Sequence, residues 1–157
     1  MIDVVQLVIF RLEGLRYALR LEVVERILQA VEITALPKAP DIVLGVIEMG
    51  KRVVPVFNAR QRFRLTEREI QPSDHFLIAR TARRTVALVI DEAEGVIETL
   101  FREVVHTSKI VPRLEHVQGI ARFEDGLVLI HDLEKFLSLD EEQILDEALR
   151  QEARHGI

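Results

Sequence analysis

The chain has 157 residues, of which 48% are hydrophobic and 30% are charged, and its formal net charge at pH 7 is −5. This size and composition predict one globular domain over residues 1–157 and exclude a disordered chain. The absence of cysteine excludes a disulfide framework, a cysteine-ligated zinc site and a thiol nucleophile. The negative charge provides no general attraction for nucleic acid.

The first two predicted elements form a β-hairpin. Residues Val4 to Leu12 are apolar on both faces, as in a strand packed on two sides. From Leu15 to Leu21 apolar residues alternate with mostly polar ones, and Glu13-Gly14 between the two runs is a turn signal. The apolar start of the chain carries Asp3 and no basic lead-in. We therefore expect no signal peptide, no membrane insertion and a cytoplasmic location.

Three further hairpins are predicted downstream, each with two short apolar strands around a polar or glycine-containing turn. Their strand pairs are Val43–Glu48 with Arg52–Phe57, His75–Arg80 with Val86–Ile90, and Gly119–Phe123 with Leu127–His131. Pro55 lacks an N–H for a strand ladder, which predicts an edge strand or a bulge there. Leu21 to Arg26 is interpreted as a short turn after the second strand. Many short strands of this kind are typical of a mainly β sandwich or barrel.

The clearest helix is predicted at the C-terminal end, over about residues 139–154. Ser138-Leu-Asp-Glu141 has the spacing of a capping box. After it an apolar face is formed by Ile144, Leu145, Ala148 and Leu149. This face either packs on the chain's own β core, which the short distance from the last strand favours, or docks into a groove of a partner.

Few residues are candidates for catalysis or metal binding. Glu103 and His106 have an E-x-x-H spacing, but metal-binding bundles use this motif twice and on long helices. His131 ends an apolar strand without a second histidine cluster, and it is interpreted as a partly exposed residue. None of Ser73, Ser108 and Ser138 lies in a nucleophile turn, and no phosphate-binding glycine loop is present. We expect no enzyme activity, no metal and no cofactor.

One dense basic run is formed by Arg60, Arg62, Arg64 and Arg68. A nucleic-acid interface would combine such a run with several aromatic stacking surfaces, whereas Phe63 is alone here. The run is therefore interpreted as a solvated, salt-bridged turn, and no nucleic-acid partner is expected.

An ordered set of short motifs carries a family resemblance. The motifs are Phe10-Arg-Leu-Glu-Gly14, Tyr17-Ala-Leu19, Val24-Glu-Arg-Ile27, Ile33-Thr-Ala-Leu-Pro37, Pro40, Val43-Leu-Gly-Val-Ile47, Val53-Val-Pro-Val56, Ala87-Leu-Val-Ile-Asp91, Glu94-Gly-Val96, Gly119-Ile-Ala-Arg122 and Asp125-Gly-Leu-Val-Leu-Ile130. In this order they resemble the CheW-like family of bacterial chemotaxis coupling proteins. The resemblance runs from about Val4 to Leu137.

This resemblance implies a fold and a role. The implied fold is a single CheW-like domain of two intertwined, SH3-like, five-stranded β-barrels with short helices, a core over about residues 4–137 and a C-terminal helix. The implied role is a non-enzymatic adaptor in a two-component signalling system. Its implied partners are the regulatory domain of a CheA-type histidine kinase and the cytoplasmic tip of a chemoreceptor.

The chain departs from the family pattern at exposed polar positions. Where the family usually has Asn-Leu-Arg-Gly, this chain has Glu48-Met49-Gly50-Lys51, and where the family favours a glutamate just before the Ile27 position, it has Arg26. The candidate partner-contacting residues are Arg26, Val43, Glu48, Met49, Gly50, Lys51 and Arg52.

Two interpretations of these departures stay open, and a third hypothesis concerns the module as a whole. In the first interpretation the changes redirect the protein to a co-adapted partner, because like charges brought together at an interface disfavour a wrong partner. In the second they are neutral surface changes in an ordinary coupling protein. The first interpretation is favoured. Alternatively, the module binds itself or a non-kinase partner through the same barrels, as a structural assembly protein.

Overall fold

The computed structural model describes residues 3–100, 103–106, 117–123 and 126–154. The described residues form eleven strands, namely β1 (Val4–Leu12), β2 (Leu15–Arg20), β3 (Val24–Gln29), β4 (Val43–Met49), β5 (Arg52–Phe57), β6 (His75–Arg80), β7 (Thr85–Ile90), β8 (Glu92–Leu100), β9 (Val104–His106), β10 (Val117–Phe123) and β11 (Gly126–His131). They also form a short helix, α1 (Ala59–Arg62), and a long one, α2 (Leu139–Arg154). The predicted mainly β fold with a C-terminal helix is confirmed.

The strands form two sheets. Sheet A has the order β8-β1-β2-β11-β10-β9, and sheet B has the order β3-β6-β7-β5-β4. The chain leaves sheet A after β2, builds all of sheet B, and returns to sheet A with β8. The two sheets are therefore intertwined in sequence, as the family resemblance implies, although sheet A contains a sixth, three-residue strand.

Apolar side chains of the described residues are buried in three groups. One group comes from sheet A alone and includes Leu7, Ile9 and Val128, and a second comes from sheet B and its flanking loops and includes Val54 and Phe76. The third and largest group combines residues of both sheets and of the C-terminal segment, for example Phe10, Leu88 and Phe136. Each sheet thus has a core of its own, and the shared core holds the two sheets together.

The predicted hairpins form as antiparallel strand pairs. Leu12 pairs with Leu15 across a turn in which Glu13 and Gly14 both have positive φ, 52° and 79°, as a two-residue hairpin turn requires. The other three predicted strand pairs are also antiparallel neighbours. Of the predicted Glu124-Asp125-Gly126 turn, the first two residues lie outside the described part of the chain.

Two predictions about strands were wrong in part. A 3-10 turn covers only Leu21–Val23, and β3 begins at Val24, inside the region predicted as a turn. Pro55 lies in β5, which is an inner strand between β7 and β4 rather than an edge, although the register of β4 against β5 does shift nearby, between Val43 and Gly45. Its missing N–H is tolerated because β7 pairs with β5 only at Val56 and Phe57, beyond the proline.

The basic run is salt-bridged as predicted, but its first arginine is buried rather than solvated. Arg60 is 9% exposed, and its Nη2 donates to both carboxylate oxygens of Asp91, at 2.7 and 2.9 Å. Arg68 also donates to Asp91, at 2.9 Å. The Asp91 carboxylate further accepts the backbone N–H of Glu13 at 2.8 Å. Asp91 thereby ties sheet B to the hairpin turn of sheet A.

The C-terminal helix packs on the chain itself, which is the favoured one of the two expectations. Leu145 and Ala148 are 0% and 2% exposed in the shared core, whereas Ile144 lies on the exposed side. The capping box is confirmed, since the Glu141 N–H donates to Ser138 Oγ and the Ser138 N–H to Glu141 Oε1.

We expect Gly45→Ala to destabilise the fold strongly. Gly45 has a φ of +151°, and an added Cβ would lie 2.3 Å from the carbonyl oxygen of Thr34, which pairs with Val46. The predicted loss in the free energy of unfolding is about 3 kcal/mol or more. Gly50→Ala is the matched control, because its φ is +63° but its Cβ would meet open space, so we expect about 1–2 kcal/mol. Urea denaturation measures both, and equal losses would contradict this account.

The ion pair of Asp74 predicts a pH dependence of stability. Two hydrogen bonds from Arg68, both 2.7 Å, hold the pKa of the Asp74 carboxyl below its ordinary value. Because the folded pKa is the lower one, the stabilisation is present above the ordinary aspartate pKa of about 3.9 and is lost as pH falls through the folded value. We expect Asp74→Asn to cost about 1–3 kcal/mol near neutral pH and progressively less in acid.

The measurement is chemical denaturation of both proteins across this pH range. Asp41→Asn, at an exposed loop position, controls for the loss of a surface carboxylate. A difference between wild type and Asp74→Asn that does not change with pH would show that the ion pair does not stabilise the fold in this way.

Candidate functional site

Five strand ends meet at one end of sheet B. Val24 at the start of β3 pairs with Ala79, Arg80 at the end of β6 pairs with Thr85, and the β4–β5 hairpin closes between Met49 and Arg52. We call this region the hairpin end and define it as Glu25, Arg26, Glu48 to Arg52, Arg80 and Thr85. Most of the predicted partner-contacting residues lie there.

An ion pair across the sheet organises the hairpin end. Arg52 donates to both carboxylate oxygens of Glu25, at 3.2 and 3.0 Å. A longer contact of 3.4 Å joins the same guanidinium to the hydroxyl of Thr85, and Arg80 lies 3.9 Å from Glu25. The hydrogen bonds from Arg52 lower the pKa of Glu25 and raise that of Arg52. Both groups are therefore charged over a wide pH range, and a bidentate pair of this kind fixes their orientation.

A β-bulge places Glu25 in this pair. The register of β3 against β6 shifts between Val24, which faces Ala79, and Arg26, which faces Ile78, so Glu25 is the extra residue. A bulge of this kind re-aims a side chain. The sequence prediction concerned Arg26 and missed Glu25, one position earlier. The acidic residue next to Arg26 was the one sequence feature that could have indicated this ion pair. A β-bulge, however, cannot be recognised from the spacing of residues in the sequence.

The structure brings six of the seven predicted residues together. Arg26, Glu48, Gly50, Lys51 and Arg52 are exposed, and Met49 is half-buried against the sheet B core. Val43 lies at the opposite end of β4 and is 7% exposed within the shared core. Val43 is thus a packing residue and does not belong to the hairpin end.

The described residues considered for catalysis or metal binding lie apart from this surface, and Ser108 lies outside the described residues. Val104–His106 form a strand, so Glu103 and His106 do not share a helical face. His131 is 3% exposed, and its ring packs edge-on against Phe63 and Phe136 at centroid distances of 4.9 and 5.5 Å. The expectation that it is partly exposed was wrong, because the short segment after β11 folds over it. Within the described ranges no three acidic or histidine side chains converge as metal ligands.

The hairpin end offers the chemistry of a protein contact. Its guanidinium, ammonium and carboxylate groups are exposed at the ends of paired strands, where the backbone is fixed. Charges arranged in this way steer association and select partners. None of the helices in the described part of the chain is long and apolar enough to cross a membrane.

Comparison with known proteins identifies a family. The model of the CheW-like domain matches residues 6–141. The "Chemotaxis protein CheW" of Treponema pallidum (strain Nichols) is 25% identical over 146 residues, which covers 89% of this chain and 86% of that protein. The "Chemotaxis protein CheW" of Bacillus subtilis (strain 168) is 30% identical over 113 residues, covering 72% of this chain and 69% of that protein.

A solved structure has the same fold. The crystal structure of the scaffolding protein TtCheW from Thermoanaerobacter tengcongensis superposes with a TM-score of 0.80 at 22% sequence identity. The superposition covers 90% of this chain and 96% of that one.

Proposed function

Because this chain belongs to the CheW-like domain family, we propose that it is a non-enzymatic cytoplasmic adaptor that couples a CheA-type histidine kinase to chemoreceptors. The observation that carries the proposal is the extent of the match, since the family model spans residues 6–141 and relatives named as chemotaxis proteins cover most of the chain. An adaptor needs surfaces rather than a reactive centre, and the exposed charged groups of the hairpin end fit that requirement.

We further propose that the hairpin end is the partner-contacting surface and that its sequence redirects partner choice. Arg26, Glu48 and Gly50 replace the residues usual in the family, and all three are exposed. They lie around the Glu25–Arg52 ion pair, so changes there alter a surface of fixed geometry. Exposed substitutions of this kind leave the buried core intact and act on the partner.

The adaptor proposal is tested by co-elution. We expect the purified chain to form a complex with the regulatory domain of a CheA-type kinase from its own organism, detected by size-exclusion chromatography with light scattering. The chain run alone, at the same concentration, is the control for self-association. A complex only with itself would support an assembly protein instead, and elution as a separate monomer would contradict both functions.

The proposal of redirected partner choice is tested by restoring the usual residues. We expect Arg26→Glu combined with Glu48→Asn and Gly50→Arg to raise the affinity for a kinase regulatory domain from a relative such as Bacillus subtilis. The reason is that the variant surface presents the polar groups typical of the family. Titration calorimetry measures the affinity, with Arg64→Glu, at an exposed position outside the hairpin end, as a control. Unchanged or weaker affinity would refute the proposal.

A further inference from the structure

Two guanidinium groups lie within 4 Å of one carboxylate at the hairpin end, and a third arginine is its neighbour in the chain. Glu25 is bound on both oxygens by Arg52, has Arg80 at 3.9 Å, and lies in the field of its neighbour Arg26. The Arg80 side chain is 70% exposed, and Arg26 is exposed as well. One carboxylate cannot neutralise three cations, so the cluster keeps a local excess of positive charge in a chain whose net charge is −5.

The neighbouring charges do not cancel this excess. In the β6–β7 turn, Arg83 and Arg84 are paired with Glu142 of α2, at 3.3 and 2.7 Å, and Arg84 also with Asp146, so that turn is balanced. The β4–β5 hairpin carries one exposed positive charge, on Lys51, and one exposed negative charge, on Glu48, so it adds no net charge. The cations without a carboxylate of their own are therefore Arg26 and Arg80, on two adjacent strands of sheet B, since the one carboxylate near Arg80, Glu25 at 3.9 Å, is already bound by Arg52.

We propose that the hairpin end recognises an acidic protein surface, with Arg26 and Arg80 receiving its carboxylates. This inference rests on the proposed adaptor function and names the chemistry of the partner. A guanidinium presents a planar fork of donors that matches a carboxylate in a bidentate way. Arg52 is already bound by Glu25, so it orients the cluster. Among the described residues, neither Arg26 nor Arg80 donates a hydrogen bond to a carboxylate, so both guanidinium groups can bind a partner.

The test compares two variants with the same net charge. Arg26→Glu with Arg80→Glu reverses the cluster, and Arg64→Glu with Arg122→Glu makes the same change at exposed positions elsewhere. The probe is the regulatory domain of the CheA-type kinase from the same organism, titrated at low and high salt. We expect the cluster variant to lose at least about tenfold in affinity and the control at most about twofold. Wild-type affinity should fall as salt screens the contact.

A competition experiment distinguishes a surface that binds carboxylates from one that binds any polyanion. Poly-L-glutamate should displace the kinase domain from the wild-type protein, and a double-stranded oligonucleotide at equal charge concentration should not. Circular dichroism checks that both variants remain folded. Binding that is unaffected by salt and by the cluster variant would overturn this inference while leaving the adaptor function standing. Displacement by the oligonucleotide would also overturn it, and the absence of any wild-type binding would refute the adaptor function itself.

Discussion

Together with the shared core, the carboxylate of Asp91 sets the arrangement of the two sheets. Asp91 lies between β7 and β8, where the chain passes from sheet B back to sheet A. It accepts hydrogen bonds from Arg60, from Arg68 and from the backbone of Glu13. Since Arg60 is buried, removing the carboxylate would leave its guanidinium, among the described residues, with only one carboxylate contact, the longer 3.9 Å contact to Glu13. This contact contributes to holding sheet B against sheet A, and so to the position of the hairpin end of sheet B.

The predictable part of the fold is the part that is buried. Apolar runs identified β1 and the strands of three later hairpins, and a period-two pattern identified β2, because all of these strands pack side chains into a core. The strands that were not predicted, such as β3 and β8, lack a run of buried apolar residues. In β8 (Glu92–Leu100) none of the side chains is buried, and the strand exists because β1 pairs with it along almost its whole length. The same holds for β3, whose residues are exposed or half-buried. Pairing between distant segments, not local pattern, forms these strands.

The candidate site was also only partly predictable from the sequence. Departures from the family pattern led to Arg26 and to the β4–β5 hairpin, and the structure places these residues at one end of sheet B. The Glu25–Arg52 pair joins residues 27 positions apart through a bulge that sequence spacing cannot show. Val43 was misplaced for a related reason, since its neighbours in the chain do not reveal that its side chain faces the core. Surface geometry depends on strand register, which a single sequence specifies only where one face is buried.

The shared core holds the two sheets together, and we propose that the exposed cluster at the hairpin end selects the partner. The most direct test is nuclear magnetic resonance of the isotope-labelled chain titrated with the kinase regulatory domain of its own organism. The account predicts that the largest changes in backbone amide shifts occur at Glu25, Arg26, Gly50 to Arg52 and Arg80. Changes confined to sheet A, with none at the hairpin end, would contradict it.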